Sequence, residues 1–177
     1  QESTHPGLAL CLLPFNLASI GVLDIVHLLC KRQHRVVAKV SEKVEFVGPI
    51  LEKILAPLVS ANALRLVYGG PDVGACLVAR PEFSHIHLTG STRTATAVAQ
   101  VVGQQKLTAE LGGVTLAIVF PDALQTEADR RQVARQVAFG AVANNGQHCV
   151  SFQMALVPAP ELADFEKLLS QEFRLVV

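Results

Sequence analysis

Residues 144–149 read Asn-Asn-Gly-Gln-His-Cys, so a cysteine follows a run of turn-forming residues. Asparagine and glycine commonly end helices and reverse the direction of the chain. A cysteine just past such a turn can face a cleft, where the backbone N–H groups of the turn can also bind an oxyanion. Cys149 is therefore a candidate nucleophile. A helix end followed by a core cysteine is the alternative interpretation of the same residues.

A carboxylate followed by two glycines is the second candidate. Glu110 and Leu111 precede Gly112 and Gly113 at the end of a predicted strand. Ligands of open parallel sheets bind at the carboxyl ends of the strands, and glycine lets the backbone approach a ligand closely. Glu110 could therefore act as a general base. A solvated loop carboxylate is the alternative.

Two further groups of residues could hold a cofactor. Thr89, Gly90 and Ser91 join a predicted strand to a predicted helix, and the free N–H groups at a helix start favour phosphate. Lys39 and Glu42 follow another predicted strand, where an acidic residue can bind ribose hydroxyls. Ser91 could instead be only a helix cap, and Lys39 with Glu42 only a solvated pair of charges.

Other common site patterns are absent from the sequence. The turn at residues 68–74 reads Tyr-Gly-Gly-Pro-Asp-Val-Gly, which is not the Gly-x-Gly-x-x-Gly fingerprint of dinucleotide-binding folds. His85 and His87 lie on one face of a predicted strand, but no third ligand is near them in the sequence. The cysteines do not have the spacing of a zinc site. We therefore expect no catalytic metal.

The elements that must position these residues alternate between strands and helices. Apolar runs predict strands at residues 8–13, 35–39, 64–68, 84–88, 106–110, 116–120 and 152–157. Amphipathic stretches predict helices from residue 17 to about 30 and at residues 48–58, 72–79, 92–104, 129–144 and 161–172. This alternation predicts an α/β fold with a doubly wound parallel sheet. The pattern restarts near residues 112–115, and the second part has too few elements to bury both faces of a sheet.

Composition limits the possible partners. The 15 basic and 15 acidic residues cancel, which argues against nucleic acid and anionic membranes as partners. No apolar run approaches the roughly 20 residues of a bilayer span. Charged residues make up only 17% of a chain that begins at Gln1, and we expect a piece of a longer protein. Sparse cysteines indicate a reducing compartment such as the cytoplasm, with most of the four thiols in the core.

Four of these groups, together with residues 14–16, follow one another in an order that resembles the motifs of the aldehyde dehydrogenase superfamily across nearly the whole chain. Residues 14–16 (Pro-Phe-Asn) resemble Pro-Trp-Asn, residues 39–42 (Lys-Val-Ser-Glu) resemble Lys-Pro-Ser-Glu, residues 88–92 (Leu-Thr-Gly-Ser-Thr) resemble Phe-Thr-Gly-Ser-Thr, residues 110–113 match Glu-Leu-Gly-Gly, and residues 144–149 resemble Asn-Gln-Gly-Gln-x-Cys. The resemblance implies a Rossmann-like dinucleotide-binding domain at residues 1–113 and a truncated, N-terminal part of an α/β catalytic domain at residues 114–177.

The resemblance also implies a reaction, the oxidation of a small-molecule aldehyde to a carboxylic acid with NAD, or alternatively NADP. Cys149 would be the nucleophile, Asn16 an oxyanion donor and Glu110 the base that activates water. Lys39 and Glu42 would hold the adenosine ribose, and Glu42 would favour NAD over NADP by repelling a 2′-phosphate.

The resemblance places the remaining cofactor contacts as well. Thr89, Gly90 and Ser91 would lie at the pyrophosphate, and Phe15, Leu111 and Gly112 would also border the cofactor. The whole protein would be a homo-oligomer, and residues 1–177 alone would not turn over aldehydes.

The sequence departs from the family pattern at several positions, which keeps two alternatives open. Phe15 replaces tryptophan, Val40 replaces proline, Arg93 stands where glutamate is usual and Val114 replaces a common lysine. A relative that transfers the acyl group to coenzyme A is one alternative, although such relatives usually lack the residue at Glu110. A catalytically idle module with a structural role is the other.

Overall fold

A computed structural model describes residues 7–176 of the chain. The described residues form two compact units that divide between Leu111 and Gly112. Each unit has its own sheet and its own apolar core. The two units are described separately below.

The first unit is built on a sheet of five parallel strands. They are β1 (Leu8–Leu12), β2 (Arg35–Lys39), β3 (Leu64–Val67), β4 (His85–Gly90) and β5 (Leu107–Leu111). Their spatial order is β3-β2-β1-β4-β5, and every pairing between neighbours is parallel. The chain therefore winds outward from β1 in one direction and then from β4 in the other. The predicted doubly wound, Rossmann-like parallel sheet is confirmed.

Helices cover both faces of this sheet. They are α1 (Ala18–Val26), α2 (Gly48–Ile54), α3 (Ala56–Ser60), α4 (Pro71–Val78) and α5 (Thr92–Val102). On one face Ile25 of α1 packs in a buried cluster with Cys11 of β1, and on the other Val98 of α5 packs with Ile86 of β4. The central strand β1 is a continuous apolar run because both of its faces are buried, whereas the edge strand β5 is largely exposed.

Two helices depart from the sequence prediction. The helix expected at residues 48–58 is broken at Leu55, because Pro57 lacks an N–H group and its ring excludes the carbonyl group four residues earlier. The helix predicted to reach Cys30 consists of two segments. The α-helix α1 ends at Val26, and a π-helix continues over His27–Lys31.

The second unit contains two strands and two α-helices among the described residues. They are β6 (Thr115–Ile118), α6 (Glu127–Val142), β7 (Phe152–Leu156) and α7 (Leu162–Val176). The strands pair in parallel, and one face of the pair packs against buried Ala134 and Phe165 of the two helices. The opposite face leaves large apolar side chains exposed: Leu116, Ile118, Met154 and Leu156.

The start of α6 has a cap that the sequence analysis overlooked. The Thr126 side chain accepts a hydrogen bond from the Asp129 N–H group, and the Asp129 carboxylate accepts one from the Thr126 N–H group. This capping box begins the helix at Glu127, two residues before the predicted start.

Gly140 sets the distance between α6 and β7. A Cβ atom at this position would lie 2.5 Å from the Phe152 ring, whereas one at Gly74, also within a helix, would meet nothing within 4 Å. We expect Gly140→Ala to destabilise the second unit by about 1–2 kcal/mol through overpacking. The matched Gly74→Ala variant should instead stabilise the first unit by up to about 1 kcal/mol, because alanine is the better helix former.

Native-state hydrogen exchange, followed in peptides of α6 and β7 and in peptides of α4, measures both changes. Unchanged or slower exchange around β7 in Gly140→Ala would contradict the packing account.

Candidate active site

Cys149 is presented by a backbone turn with unusual torsion angles. After α6 ends at Val142, Asn144, Asn145 and Gly146 all adopt left-handed conformations, with φ of 53°, 54° and 67°. Such a run is uncommon outside glycine, and asparagine is among the residues that tolerate it best. Cys149 follows in an exposed turn. The alternative interpretation, in which it is a core cysteine, is wrong.

The segment around Cys149 is fastened within the second unit. The Thr115 hydroxyl donates a hydrogen bond to the Cys149 carbonyl oxygen at 3.4 Å, and the Gln153 side-chain amide donates one to the Gly113 carbonyl oxygen at 2.8 Å. Ser151, just before β7, is buried, and its backbone N–H group donates a hydrogen bond to the His148 carbonyl oxygen at 3.1 Å. The backbone that carries the thiol is therefore held at both ends while the side chain stays accessible.

In the first unit, the register of the sheet aligns the carboxyl ends of three strands. Leu12 of β1 pairs with Lys39 of β2 on one side and with Leu88 of β4 on the other. The order of the strands reverses between β1 and β4, which creates the crevice where ligands of doubly wound sheets bind. The structure thus brings Asn16, Lys39 and Thr89 to the same edge of one sheet.

Lys39 is a largely buried residue at this edge. Its residue surface is only 9% exposed, and within residues 7–176 its ammonium group forms no hydrogen bond or ion pair. Its ammonium nitrogen is not among the fully buried side-chain atoms of residues 7–176, so the stem of Lys39 is packed while its charge stays accessible to a polar ligand at the crevice. The ammonium group can therefore donate hydrogen bonds to hydroxyl or phosphate oxygens of a ligand.

Acidic and aromatic groups border the same region. Glu42 is exposed at the start of a 3₁₀ helix, and its carboxylate lies near Gly70, where an added Cβ atom would be 3.0 Å from Oε2. Phe15 is 46% exposed, and the Lys43 ammonium lies 4.6 Å from the centre of its ring. Lys43, the residue after Glu42, therefore places its positive charge over the Phe15 ring.

Thr89, Gly90 and Ser91 form the junction between β4 and α5. The Ser91 hydroxyl accepts a hydrogen bond from the Thr94 N–H group at 3.2 Å, so Ser91 caps α5. The Thr89 hydroxyl donates to Asp24 of α1 at 2.7 Å. The junction is consequently ordered by side chains on both sides of the sheet.

Glu110 and Leu111 end the edge strand β5. Glu110 pairs in register with Thr89, and Leu111 with Gly90. Glu110 is exposed, and its side chain makes no hydrogen bond or ion pair among the described residues. Gly112, where an added Cβ atom would meet nothing within 4 Å, begins the second unit.

A polar network missed by the sequence analysis lies behind this edge. The Thr108 hydroxyl is 2.9 Å from His85 Nε2 and 2.8 Å from His87 Nδ1, and Asp24 Oδ1 is 3.4 Å from His87 Nε2. The spacing of the two histidines predicts that they share one face of β4. No local sequence pattern predicts that Asp24, which lies on α1, joins them. No group of three or more His, Cys, Asp or Glu side chains within residues 7–176 is arranged to hold a metal ion.

The cysteines differ from expectation. Cys11 is buried, but Cys30 and Cys76 are exposed, so the prediction that most thiols lie in the core is wrong. The apolar runs that contain Cys30 and Cys76 are helical, and a helix buries only one of its faces. The buried positions there belong to Leu28 and Val78.

The comparisons with known proteins agree with this geometry. The model described as the aldehyde dehydrogenase family matches residues 4–176. The chain is 32% identical over 134 residues to a probable coniferyl aldehyde dehydrogenase of Pseudomonas aeruginosa, covering 75% of this chain and 27% of that protein. It is 38% identical over 133 residues to an N-succinylglutamate 5-semialdehyde dehydrogenase of Sphingopyxis alaskensis, covering 73% and 26%.

Solved structures give the same result. HpcC of Thermus thermophilus superposes with a TM-score of 0.84 at 28% identity, covering 95% of this chain and 32% of that chain. A mutant of aldehyde dehydrogenase C of Pseudomonas syringae, complexed with NAD+ and octanal, superposes with a TM-score of 0.82 at 27% identity, covering 94% and 34%.

An α/β fold with its polar residues at the β1–β4 edge, together with these matches, defines the class of protein. The chain belongs to the aldehyde dehydrogenase family. It spans 26–28% of the length of the first curated relatives that it matches. Within the described residues, no helix has the length and apolar character needed to cross a membrane.

The environments of the thiols predict a labelling pattern. Burial, the larger cause, and the nearby Asp24 carboxylate raise the pKa of Cys11 far above its ordinary value. We expect iodoacetamide to modify Cys30, Cys76 and Cys149 in the native protein and to leave Cys11 unmodified until a denaturant is added. Peptide mass spectrometry at increasing labelling times measures this. Labelling of Cys11 as fast as Cys76 under native conditions would show that the first core is not packed as described.

Proposed function

We propose that the protein oxidises a small aldehyde to a carboxylic acid with NAD+ as the hydride acceptor. The observation that carries the proposal is the presence in one chain of an accessible cysteine, held after a left-handed turn, and of a doubly wound sheet whose β1–β4 edge bears Lys39 and the Thr89 junction. The NAD+ and octanal of the Pseudomonas syringae structure support the same cofactor and substrate class.

The residues at the sheet edge fit the cofactor. Lys39 and Glu42 would bind the hydroxyl groups of the adenosine ribose, since an ammonium group at the end of a largely buried side chain and an exposed carboxylate provide a donor and an acceptor. Thr89, Gly90 and Ser91 would hold the pyrophosphate at the start of α5. NAD+ supplies the electrophilic ring that takes up the hydride.

Three further residues would border the cofactor. Phe15 follows β1, Leu111 ends β5 and Gly112 comes directly after it. Phe15 is 46% exposed and Leu111 is 37% exposed, so both apolar surfaces are available to a ligand. Glu42 would favour NAD over NADP by repelling a 2′-phosphate, while Lys43 beside it would reduce that preference.

Cys149, Asn16 and Glu110 would perform the chemistry. The Cys149 thiolate would attack the aldehyde carbon and form a carbon–sulfur bond, while its own backbone N–H group and the Asn16 amide stabilise the resulting oxyanion. Loss of hydride from that carbon leaves a thioester on Cys149. Glu110 would then remove a proton from water, whose oxygen displaces the sulfur and releases the carboxylic acid.

The remaining assignments concern the whole protein. Residues 1–113 would form most of the dinucleotide-binding domain and residues 114–177 the start of the catalytic domain. The natural protein would be a cytoplasmic homo-oligomer. Its partner would be a small aldehyde, with no role for nucleic acid or a membrane, as the balanced charge favours.

The presence of Glu110 favours hydrolysis of the thioester over transfer of the acyl group to coenzyme A. A hydrolysing enzyme needs a base to activate water, whereas an enzyme that transfers the acyl group to coenzyme A does not. The exposed and unpartnered Glu110 carboxylate therefore favours hydrolysis. An idle module would need neither Glu110 nor an accessible Cys149.

The test is an assay of the complete natural protein with NAD+ and a panel of aldehydes that includes octanal. Cys149→Ala should lower NADH formation about a thousandfold or more, because it removes the nucleophile. Glu110→Gln should give one equivalent of NADH per site and then stop, because the thioester forms but is not hydrolysed. Glu82→Gln removes an exposed carboxylate at the amino-terminal edge of the sheet and should match the wild type.

Each alternative has its own result in this assay. If turnover requires added coenzyme A, the reaction is acyl transfer to coenzyme A and not hydrolysis. Absence of NADH with every aldehyde would support the idle module, and full activity of Cys149→Ala would refute the proposed nucleophile.

A further inference from the structure

The proposed cofactor edge is tied to α1 by one short hydrogen bond. The Thr89 hydroxyl donates to Asp24 Oδ2 at 2.7 Å, and the two residues are 65 positions apart in sequence. Asp24 belongs to the helix that follows β1, and Thr89 to β4. The bond therefore spans the β1–β4 switch point, where the crevice of the sheet opens.

Asp24 is held in turn by a second polar group. Its other carboxylate oxygen, Oδ1, lies 3.4 Å from Nε2 of His87, and the two side chains are only 12% and 11% exposed. The Nε2 atom is buried and has no partner in hydrogen-bond geometry among the described residues. The Asp24 carboxylate is therefore the negative group that this nitrogen faces.

The chemistry of the network gives its hydrogen bonds a direction. An unprotonated Nε2 would repel the Asp24 carboxylate, so the proton of His87 is favoured on Nε2 and its Nδ1 accepts from the Thr108 hydroxyl. Thr108 has one proton to donate, so its oxygen accepts from Nε2 of His85. Burial, the largest cause, and Arg32 lower the pKa of His85 to about 4, which leaves it neutral with one N–H group for this bond.

We propose that Asp24, oriented by His87, is a positioning residue for the Thr89 junction and thereby sets the affinity for the cofactor. This inference rests on the proposed function, which assigns Thr89 to cofactor binding. Nothing in the aldehyde chemistry touches Asp24, which lies inside the first unit and acts only through Thr89.

The position of Thr89 explains why its side chain needs an external support. Ser91, two residues later, is the N-cap of α5, so a rotation of the backbone at Thr89 moves the start of that helix. The Ser91 cap restrains the junction from the helix side, and Asp24 restrains it from the opposite side of the sheet. Without Asp24, the Thr89 hydroxyl would lose its acceptor and Nε2 of His87 would lose the negative group that it faces.

The test compares the dissociation constant of NAD+ among variants of the complete natural protein by isothermal titration calorimetry. Thr89→Val should weaken binding about tenfold, because it removes the hydroxyl and keeps the shape of the side chain. Thr89→Ser keeps the hydroxyl and should stay within about twofold of the wild type. Asp24→Asn should weaken binding about tenfold, since one amide oxygen cannot replace two carboxylate oxygens.

The double variant tests whether the two residues act as one unit. Asp24→Asn combined with Thr89→Val should bind no more weakly than either single variant, because each breaks the same link. The control Asp164→Asn removes an exposed carboxylate of α7 and should not change the affinity. Circular dichroism at the titration temperature verifies that each variant is folded.

The outcomes separate this inference from the proposed function. If the wild-type protein does not bind NAD+, the proposed function fails and the inference fails with it. If the wild type binds but Asp24→Asn binds equally well, or if the two effects multiply in the double variant, only the inference is overturned. If Asp24→Asn does not fold, the contrast between Thr89→Val and Thr89→Ser decides, and equal affinities of those two variants would refute a positioning role for the hydroxyl.

Discussion

The alignment of Leu12 with Lys39 on one side and Leu88 on the other is the constraint on which the first unit depends. Parallel pairing at this register ends β1, β2 and β4 at one edge, so residues from three distant parts of the sequence reach the same crevice. A slip of one residue would send each side chain of the strand to the opposite face. The register is held because both faces of the sheet are covered by separate apolar cores.

In the second unit, the main structural feature is an exposed thiol, Cys149, on a backbone that hydrogen bonds hold in place. Gly140 packs closely against the Phe152 ring, which lets α6 lie close to β7. Three residues in left-handed conformations after α6 then reverse the direction of the chain. The Thr115 and Gln153 hydrogen bonds then fasten both sides of the turn. Backbone conformation and local contacts, more than burial, define the position of Cys149.

Much of this could be predicted from the sequence, because its signals are local. Apolar runs that alternate with amphipathic stretches predict the parallel sheet, and the Asn-Asn-Gly run predicts the turn before Cys149. Pro57 predicts the helix break at Leu55, and Thr126 with Asp129 predicts the start of α6. The pattern of apolar residues alone predicts neither feature. The exposure of Cys30 and Cys76 depends on which helix face meets the sheet, and the bond between Asp24 and Thr89 joins residues that no local pattern connects.

Hydrogen exchange with and without saturating NAD+, measured on the complete natural protein, tests most directly whether the β1–β4 edge is the cofactor site. Binding there should slow exchange in peptides that contain residues 13–18, 39–46 and 88–95, which follow the carboxyl ends of β1, β2 and β4. Peptides from the opposite edge, such as residues 80–84 before β4, should exchange at an unchanged rate. Protection confined to that opposite edge, or no protection in any of the three carboxyl-end peptides, would contradict the account.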